Sequence, residues 1–465
     1  MKLRAALAPA CAALVMAACT PGAAGAPGAS GPEPRTWDRS AAPEEVATWA
    51  LSGCGGVLKT SATCVERALK SVIEPAGVGK AMAALNVMVE RDATIRREAH
   101  GLAHSLGIAA YRSPETVGAT FAECPPTQMS GCYHGVIQGY FLAQRETGVD
   151  AAKLNALCEE QRGRSQFLFF QCAHGVGHGL MALNAHHVPR SLAGCDVAKD
   201  PFVRESCYGG VFMENIVAVT HPHHTAEAHA EVPAQGEGGA HDAHAGHGAS
   251  QAADPHAGHG AAQAADPHAG VDHGAMGHAG HGQQAAAEPW KPLDKDDPLY
   301  PCNVVAPKYQ MACYTNQTSA ILWMNGGSVA ATARACEEAP AGILRRTCFE
   351  SLGRDITALA AQDHGRSRSF CAIAEGEGEA ACIGGVSQNL VNLAADPAEG
   401  MRFCRGVQGE ANQRACYEGV GRMLFGLAPE PARREEICAT ADPSFVAVCR
   451  AGAGLPPRPA QSTGS

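Results

Sequence analysis

The chain has 465 residues, a formal net charge of −10, 46% hydrophobic but only 5% aromatic residues, and 20 cysteines. An acidic balance with no basic stripe excludes a nucleic-acid partner. With few aromatic side chains to fill a core, the cysteines are expected to carry part of the structural load.

Met1 to Ala18 reads as a signal peptide, with Lys2 and Arg4 ahead of an apolar stretch from Ala5 to Ala18. It ends Met16-Ala17-Ala18-Cys19, which resembles the lipobox of bacterial lipoproteins. The resemblance covers the first twenty or so residues and implies cleavage before Cys19, a lipid on its thiol, and anchoring of the chain to a membrane. Thr20, where an Asp would favour retention at the inner membrane, implies the outer membrane or periplasmic face of a bacterial cell envelope. Residues 19–42, rich in Pro, Gly, Ala and Ser, read as the lipidated flexible tether. No later stretch offers the roughly 18 apolar residues of a membrane span.

Setting aside Cys11 in the signal and Cys19 leaves eighteen cysteines in nine successive pairs: Cys54/Cys64, Cys124/Cys132, Cys158/Cys172, Cys195/Cys207, Cys302/Cys313, Cys336/Cys348, Cys371/Cys382, Cys404/Cys416 and Cys438/Cys449. An exported chain with even, regular cysteines predicts disulfides. Spacings of 7 to 13 intervening residues do not suit the C-x2-4-C ligand pairs of zinc sites. The second members recur mostly at steps of 33 to 35 residues, a period that signals a repeat architecture.

The unit is clearest at 328–361, where a short helix ends near Cys336 and Pro340 predicts the first turn of a second, longer helix carrying Cys348. Residues 149–184 and 397–426 read the same way. The 68 residues from Cys64 to Cys132 span two periods, so a unit without a disulfide is expected at about 85–110, with Glu98 at the missing cysteine position. The 106 residues from Cys207 to Cys313 leave an insertion of about 71, placed at 221–291. Units 1–5 then occupy 43–220, units 6–10 occupy 292–453, and 454–465 is a disordered tail. The expected fold is all-α: disulfide-stapled αα-hairpin repeats of about 34–35 residues, stacked as a solenoid or closed α/α ring, with a disordered His-rich insertion. The repeat length resembles that of tetratricopeptide-type repeats, but their aromatic signature is missing, so no peptide-binding role is implied.

Aligned on the second cysteine, His100 and His104 of unit two, His134 of unit three, and His174 and His178 of unit four fall at offsets +2 and +6. Positions i and i+4 share a helical face, so the repeats predict a histidine stripe. Gln138 fills the remaining +6 position; unit five continues with Gly209 and Met213, followed by Glu214. Units seven and nine place Glu350/Arg354 and Glu418/Arg422 at the same offsets, where they read as ion pairs. Glycine recurs at +3 as Gly101, Gly135, Gly175 and Gly210, which predicts the close approach of a neighbouring helix or a ligand. Neutral imidazole is the commonest metal ligand, so His100, His104, His134, His174 and His178, with Glu214 as a carboxylate ligand or base, are the candidate metal ligands; buried structural hydrogen bonding is the alternative.

Between His221 and His281 the insertion carries thirteen histidines, no Lys or Arg, and the octapeptide QAADPHAG twice. Such a composition cannot bury a core. It reads as a metal-buffering loop for borderline ions such as Zn, Cu or Ni, with a solubilising linker or a pH sensor as alternatives. No G-x-S-x-G, HExxH, Walker A or C-x-x-C-H motif stands in a suitable context. The expectation is therefore a cell-envelope lipoprotein whose partners are transition-metal ions and, through its lipid anchor, a membrane. The alternatives are a metal-dependent oxidoreductase or hydrolase using the same histidines, and a helical scaffold for an envelope protein partner.

Overall fold

The computed structural model describes residues 31–55, 60–220, 290–394 and 396–457. Cys19 and its signal, the insertion from His221 to Pro289, and the tail beyond residue 457 lie outside them. The described residues are helical throughout, apart from turns and one isolated bridge between Gly55 and Thr60. They form two compact units, divided after Ala143.

The first unit contains α1 (Pro43–Cys54), α2 (Ala62–Ala76), α3 (Val78–Arg91), α4 (Ala93–Ala110), α5 (Val117–Glu123) and α6 (Gly131–Ala143). Ser61 caps α2 by accepting from the Cys64 N–H, and Asp92 caps α4 by accepting from Thr94 and Ile95, which satisfies backbone donors that a helix start leaves open. The α3–α4 pair is the hairpin expected without a disulfide. Trp37 is buried edge-on against Trp49, so the packed chain reaches back ahead of α1 into the stretch read as tether.

The second unit contains α7 (Ala151–Ala156), α8 (Glu159–Arg162), α9 (Gln166–Leu183), α10 (Val188–Asp196), α11 (Pro201–Thr220), α12 (Pro307–Met324), α13 (Val329–Glu338), α14 (Ile343–Leu359), α15 (His364–Cys371), α16 (Gly376–Ala394), α17 (Pro397–Arg405), α18 (Glu410–Leu427), α19 (Pro431–Cys438) and α20 (Val446–Gly452). The second helices of the hairpins pack in chain order from α9 to α20. Helix α18 also touches α9.

All nine predicted disulfides are present: Cys54–Cys64, Cys124–Cys132, Cys158–Cys172, Cys195–Cys207, Cys302–Cys313, Cys336–Cys348, Cys371–Cys382, Cys404–Cys416 and Cys438–Cys449, with Cα–Cα distances of 5.3 to 5.7 Å. Each joins a first segment to the helix that follows it.

Of the two units expected to copy 328–361, one departs from it around its disulfide and the other repeats it. In 149–184 the first helix is broken into α7 and α8, and Cys158 sits between them as the α8 N-cap rather than at a helix end. Its partner Cys172 lies seven residues into α9, so this bridge closes the longest loop of the nine, with a separation of 14. In 397–426 the second helix opens as it does in 328–361, from a glycine in the left-handed region. Gly409, with a left-handed φ of 83°, turns the chain into α18, which carries Cys416 to Cys404 at 5.6 Å between Cα atoms.

Other boundaries also differ from the sequence reading. Helix α14 begins at Ile343 rather than at Pro340, because Gly342 at its N-cap takes a left-handed φ of 87° and turns the chain first. Residues 291–306 of unit six form bends and turns in place of a short helix. The chain is pinned already at Trp290, whose indole N–H donates to Asn215 Oδ1 at 3.3 Å, while the Asn215 amide donates to the Pro292 carbonyl at 2.9 Å.

The glycines set the register between neighbouring second helices. A Cβ on Gly135 would stand 2.1 Å from the His104 carbonyl oxygen, and one on Gly107 would stand 2.2 Å from that of Cys132. The same reciprocal contact recurs with Gly210 on the His174 carbonyl and Gly177 on Cys207, with Gly385 on Glu350 and Gly353 on Cys382, and with Gly452 on Glu418 and Gly421 on Cys449. In every pair the second helix brings the glycine three residues past its cysteine. The first helix brings the glycine five past, as Gly177 follows Cys172 and Gly421 follows Cys416. The α4 register follows from Gly107: the missing cysteine position is Leu102, one helical turn beyond Glu98. The offset reading of His100 and His104 shifts accordingly. His104 is the +2 residue, matching His134 and His174, and His100 lies one turn before it. The +2 carbonyls of His104, His174, Glu350 and Glu418 all receive a glycine, so the reciprocal crossings join α4 to α6, α9 to α11, α14 to α16 and α18 to α20, and Gly419 makes a further one-sided approach from α18 to the Gly384 carbonyl of α16.

Candidate metal centre

In the first unit, α4 presents His100 and His104 one turn apart, and α6 brings His134 against them. The ring centroids of His100 and His104 are 4.6 Å apart, those of His104 and His134 5.3 Å, and those of His100 and His134 6.2 Å. One ring nitrogen from each lies within 4.8 Å of the other two. Two ligands about 2.0–2.1 Å from a tetrahedral ion sit roughly 3.3 Å apart, so closure around an ion requires ring movements of about 1.5 Å or less. His104 and His134 are each 2% exposed, and His100 beside them is half-buried. Room for the set comes from glycine: a Cβ on Gly131 would lie 2.8 Å from the His100 carbonyl oxygen and 3.1 Å from His104 Cδ2.

The outward nitrogens are held by oxygen acceptors. His100 Nδ1 is 2.9 Å from the Gln128 carbonyl, and His104 Nδ1 is 3.4 Å from Gln138 Oε1. A backbone carbonyl only accepts, so the His100 Nδ1 carries the proton and its Nε2 the lone pair. This is the outer-shell arrangement that orients metal-ligating imidazoles. Gln138, the +6 residue of unit three, is thereby the side chain that meets the His104 Nδ1.

In the second unit, His174 and His178 stand one turn apart on α9, two and six residues past Cys172, with ring centroids 5.1 Å apart. Gly209 of α11 leaves space for the first ring, since a Cβ there would lie 3.2 Å from His174 Nδ1. Glu214 of α11, only 2% exposed, places Oε2 2.7 Å from His178 Nδ1 and Oε1 3.3 Å from His186 Nε2. The shorter distance is that of a charge-assisted hydrogen bond. Glu214 thus orients His178 so that its Nε2 faces the opposite way; the sequence reading makes it a direct ligand or base. His186 escapes that reading because it belongs to the turn after α9 and not to the stripe. The signal available was its spacing of eight residues, two helical turns, from His178.

The later units use the same register differently. Glu350 accepts from Arg422 at 3.0 Å, and Glu418 pairs with Arg346 at 3.3 Å, joining α14 to α18. Arg354 of the predicted Glu350/Arg354 pair turns instead to the neighbouring Asp355, at 2.9 Å, whereas Glu418 does meet Arg422, at 3.6 Å. Charges there neutralise one another across helices, whereas the first two hairpin pairs carry imidazole rings.

No helix among the described residues is long and apolar enough to cross a membrane. Nine disulfides are the usage of an oxidising, extracytoplasmic compartment. No family model matches the chain, and neither a curated protein nor a solved structure is similar to it.

Proposed function

We propose that this chain is a lipid-anchored protein of the bacterial cell envelope that binds a transition-metal ion through imidazole nitrogens, with the His-rich insertion as a second, weaker collector of the same ions. The observation that carries this reading is the His100–His104–His134 set: three ring nitrogens within 4.8 Å, with His104 and His134 buried and the Nδ1 atoms of His100 and His104 turned to oxygen acceptors. Imidazole sets of this kind suit Zn, Cu or Ni. The anchor rests on the resemblance of residues 16–19 to a lipobox.

The test is elemental analysis of the protein purified without a His-tag from its own cell envelope, beside a version lacking residues 221–289. Stoichiometric metal that survives the deletion, and is lost on His104→Ala, is the expected result. Metal that disappears entirely with the insertion reduces the ordered histidines to structure. Mass spectrometry of the mature N-terminus tests the anchor: a diacylglyceryl group on Cys19 is expected, and an unmodified thiol there rules the anchor out.

A further inference from the structure

We infer that Asn86 of α3 is a positioning residue for the imidazole set of the first unit, acting on His100 through the turn Gln128–Ser130; this rests on the proposed metal function. Two hydrogen bonds make the connection. The Gln128 side-chain amide donates to Asn86 Oδ1 at 2.9 Å, and His100 Nδ1 donates to the backbone carbonyl of the same Gln128, also at 2.9 Å. The first bond fixes where Gln128 sits, and the second passes that placement to the ring. The carbonyl belongs to the peptide between Gln128 and Met129, so its aim at His100 is set by the backbone of the turn and is lost if the turn relaxes. An oxygen acceptor on the outer nitrogen is what orients a metal-ligating imidazole, and here Asn86 holds that acceptor from one bond further out.

The backbone of the turn is a second, independent observation. Gln128, Met129 and Ser130 have φ of 53°, 49° and 63°, three successive residues in the left-handed region, and none is glycine. Among the described residues no other such run exceeds two. The two-residue cases, Ala185–His186 and Ala361–Gln362, are helix C-terminal turns, closed by bonds from His186 to Met181 and from Gln362 to Thr357. The turns that lead into α14, α16 and α18 take their positive φ at Gly342, Gly376 and Gly409, with Glu375 beside Gly376; glycine adopts it without strain. A strained backbone persists only where its surroundings over-determine it. Around this turn the Cys124–Cys132 disulfide, with a separation of 8, holds the two ends. The Ser130 N–H bonds the Thr127 carbonyl at 3.1 Å. Asn86 holds the first left-handed residue, the one whose carbonyl faces His100.

The experiment uses the full chain and Co(II), whose visible absorption reports imidazole ligation and whose affinity is read by competition with a chelator. The phase followed is the tight one, lost in His104→Ala. Asn86→Leu keeps the volume of the side chain and removes the acceptor, whereas Asn86→Asp keeps an acceptor for the Gln128 amide. The expected result for Asn86→Leu is cobalt binding weaker by about tenfold, the lower end of the range for an outer-shell partner, with a shifted visible band. Its metal-free denaturation midpoint should stay close to that of wild type, because a released turn sheds its strain. Asn86→Asp should bind cobalt as wild type does. Unchanged cobalt affinity in Asn86→Leu, whether or not the midpoint falls, makes Asn86 structural and overturns the inference. Equal weakening in Asn86→Asp also overturns it, since the acceptor would then not be what matters. Absence of any tight cobalt phase in the wild type removes the proposed metal function itself, and the inference with it.

Discussion

Gly135 is where fold and site are tied most tightly, and Gly135→Ala is the perturbation that separates them. The added Cβ would stand 2.1 Å from the His104 carbonyl oxygen and 3.0 Å from the Gly107 Cα. An ordinary carbon–oxygen contact is about 3.3 Å, so α4 and α6 must part by about 1 Å. The obstacle is backbone, which cannot rotate away, so the cost lies toward the upper end of the roughly 1–3 kcal/mol typical of overpacking. Alanine returns about 1 kcal/mol through its helix preference over glycine, leaving a net loss of about 2 kcal/mol. Gly426→Ala in α18 is the control: nothing lies within 4 Å of its added Cβ, so only the helix preference acts and the protein gains about 0.5–1 kcal/mol. The assay is guanidinium denaturation followed by circular dichroism with disulfides intact, together with metal competition against a chelator. Because His104 and His134 flank the contact, Gly135→Ala should also weaken metal binding at least tenfold, which Gly426→Ala should not. A Gly135→Ala protein as stable as wild type, or one with unchanged metal affinity, refutes the close-crossing account.

Glu214→Gln keeps the shape of the side chain but removes the charge that orients His178; metal affinity should fall by about 10–100-fold, and an unchanged chelator competition curve would show that His178 does not need it. Replacing Cys371 and Cys382 by Ser opens a loop of separation 11 and should cost about 2–3 kcal/mol on chain-entropy grounds, read as a lower denaturation midpoint; no shift would mean that the hairpin is held by packing alone. Burial raises the Asp196 carboxyl, but hydrogen bonds from Lys308, Tyr208 and Tyr309 outweigh it and hold the group below its ordinary value of 3.8. A depressed carboxylate stabilises the fold above the unfolded value and loses that contribution as pH falls through the folded one. Asp196→Asn should therefore be less stable than wild type at pH 7, with the gap closing below pH 3.8; a gap that is constant with pH would trace the loss to shape instead of charge.

What was legible in the sequence was whatever covalent spacing or helical period encodes. Cysteine pairs give the hairpins because a disulfide forces its two elements together, and the i, i+4 pairs His100/His104 and His174/His178 give shared faces. The cysteines do not fix how each hairpin turns: Cys158–Cys172 spans a broken first helix and Cys404–Cys416 a glycine turn, under the same spacing rule. The shift of unit two from Glu98 to Leu102 shows a further limit. Without a cysteine, the register of α4 depends on which backbone atoms touch α6, and the informative residue is Gly107, five places past an unmarked position. Gln138 and His186 escape for separate reasons. Gln138 lies on the stripe, at the +6 position, but is not an imidazole and acts by facing a ligand's ring nitrogen; His186 acts from a turn and so does not follow the period.

The same +2 register carries imidazole in His104 and His174 and carboxylate in Glu350 and Glu418, and the difference bears on what the site requires. Carboxylate and guanidinium complete each other: Glu350 with Arg422 and Glu418 with Arg346 leave no net charge across α14 and α18. At the imidazole end the Nδ1 atoms of His100 and His104 face Gln128 and Gln138, and one ring nitrogen from each of His100, His104 and His134 lies within 4.8 Å of the other two. A metal ion can bridge such nitrogens while the Nδ1 contacts serve as its outer shell. Replacing Gln138 with Leu is the corresponding perturbation: the His104 Nδ1 contact is lost, and metal affinity should drop about tenfold or more while the helix contacts of α4 and α6 persist. A variant that binds metal as wild type does would show that the ring needs no outer-shell oxygen.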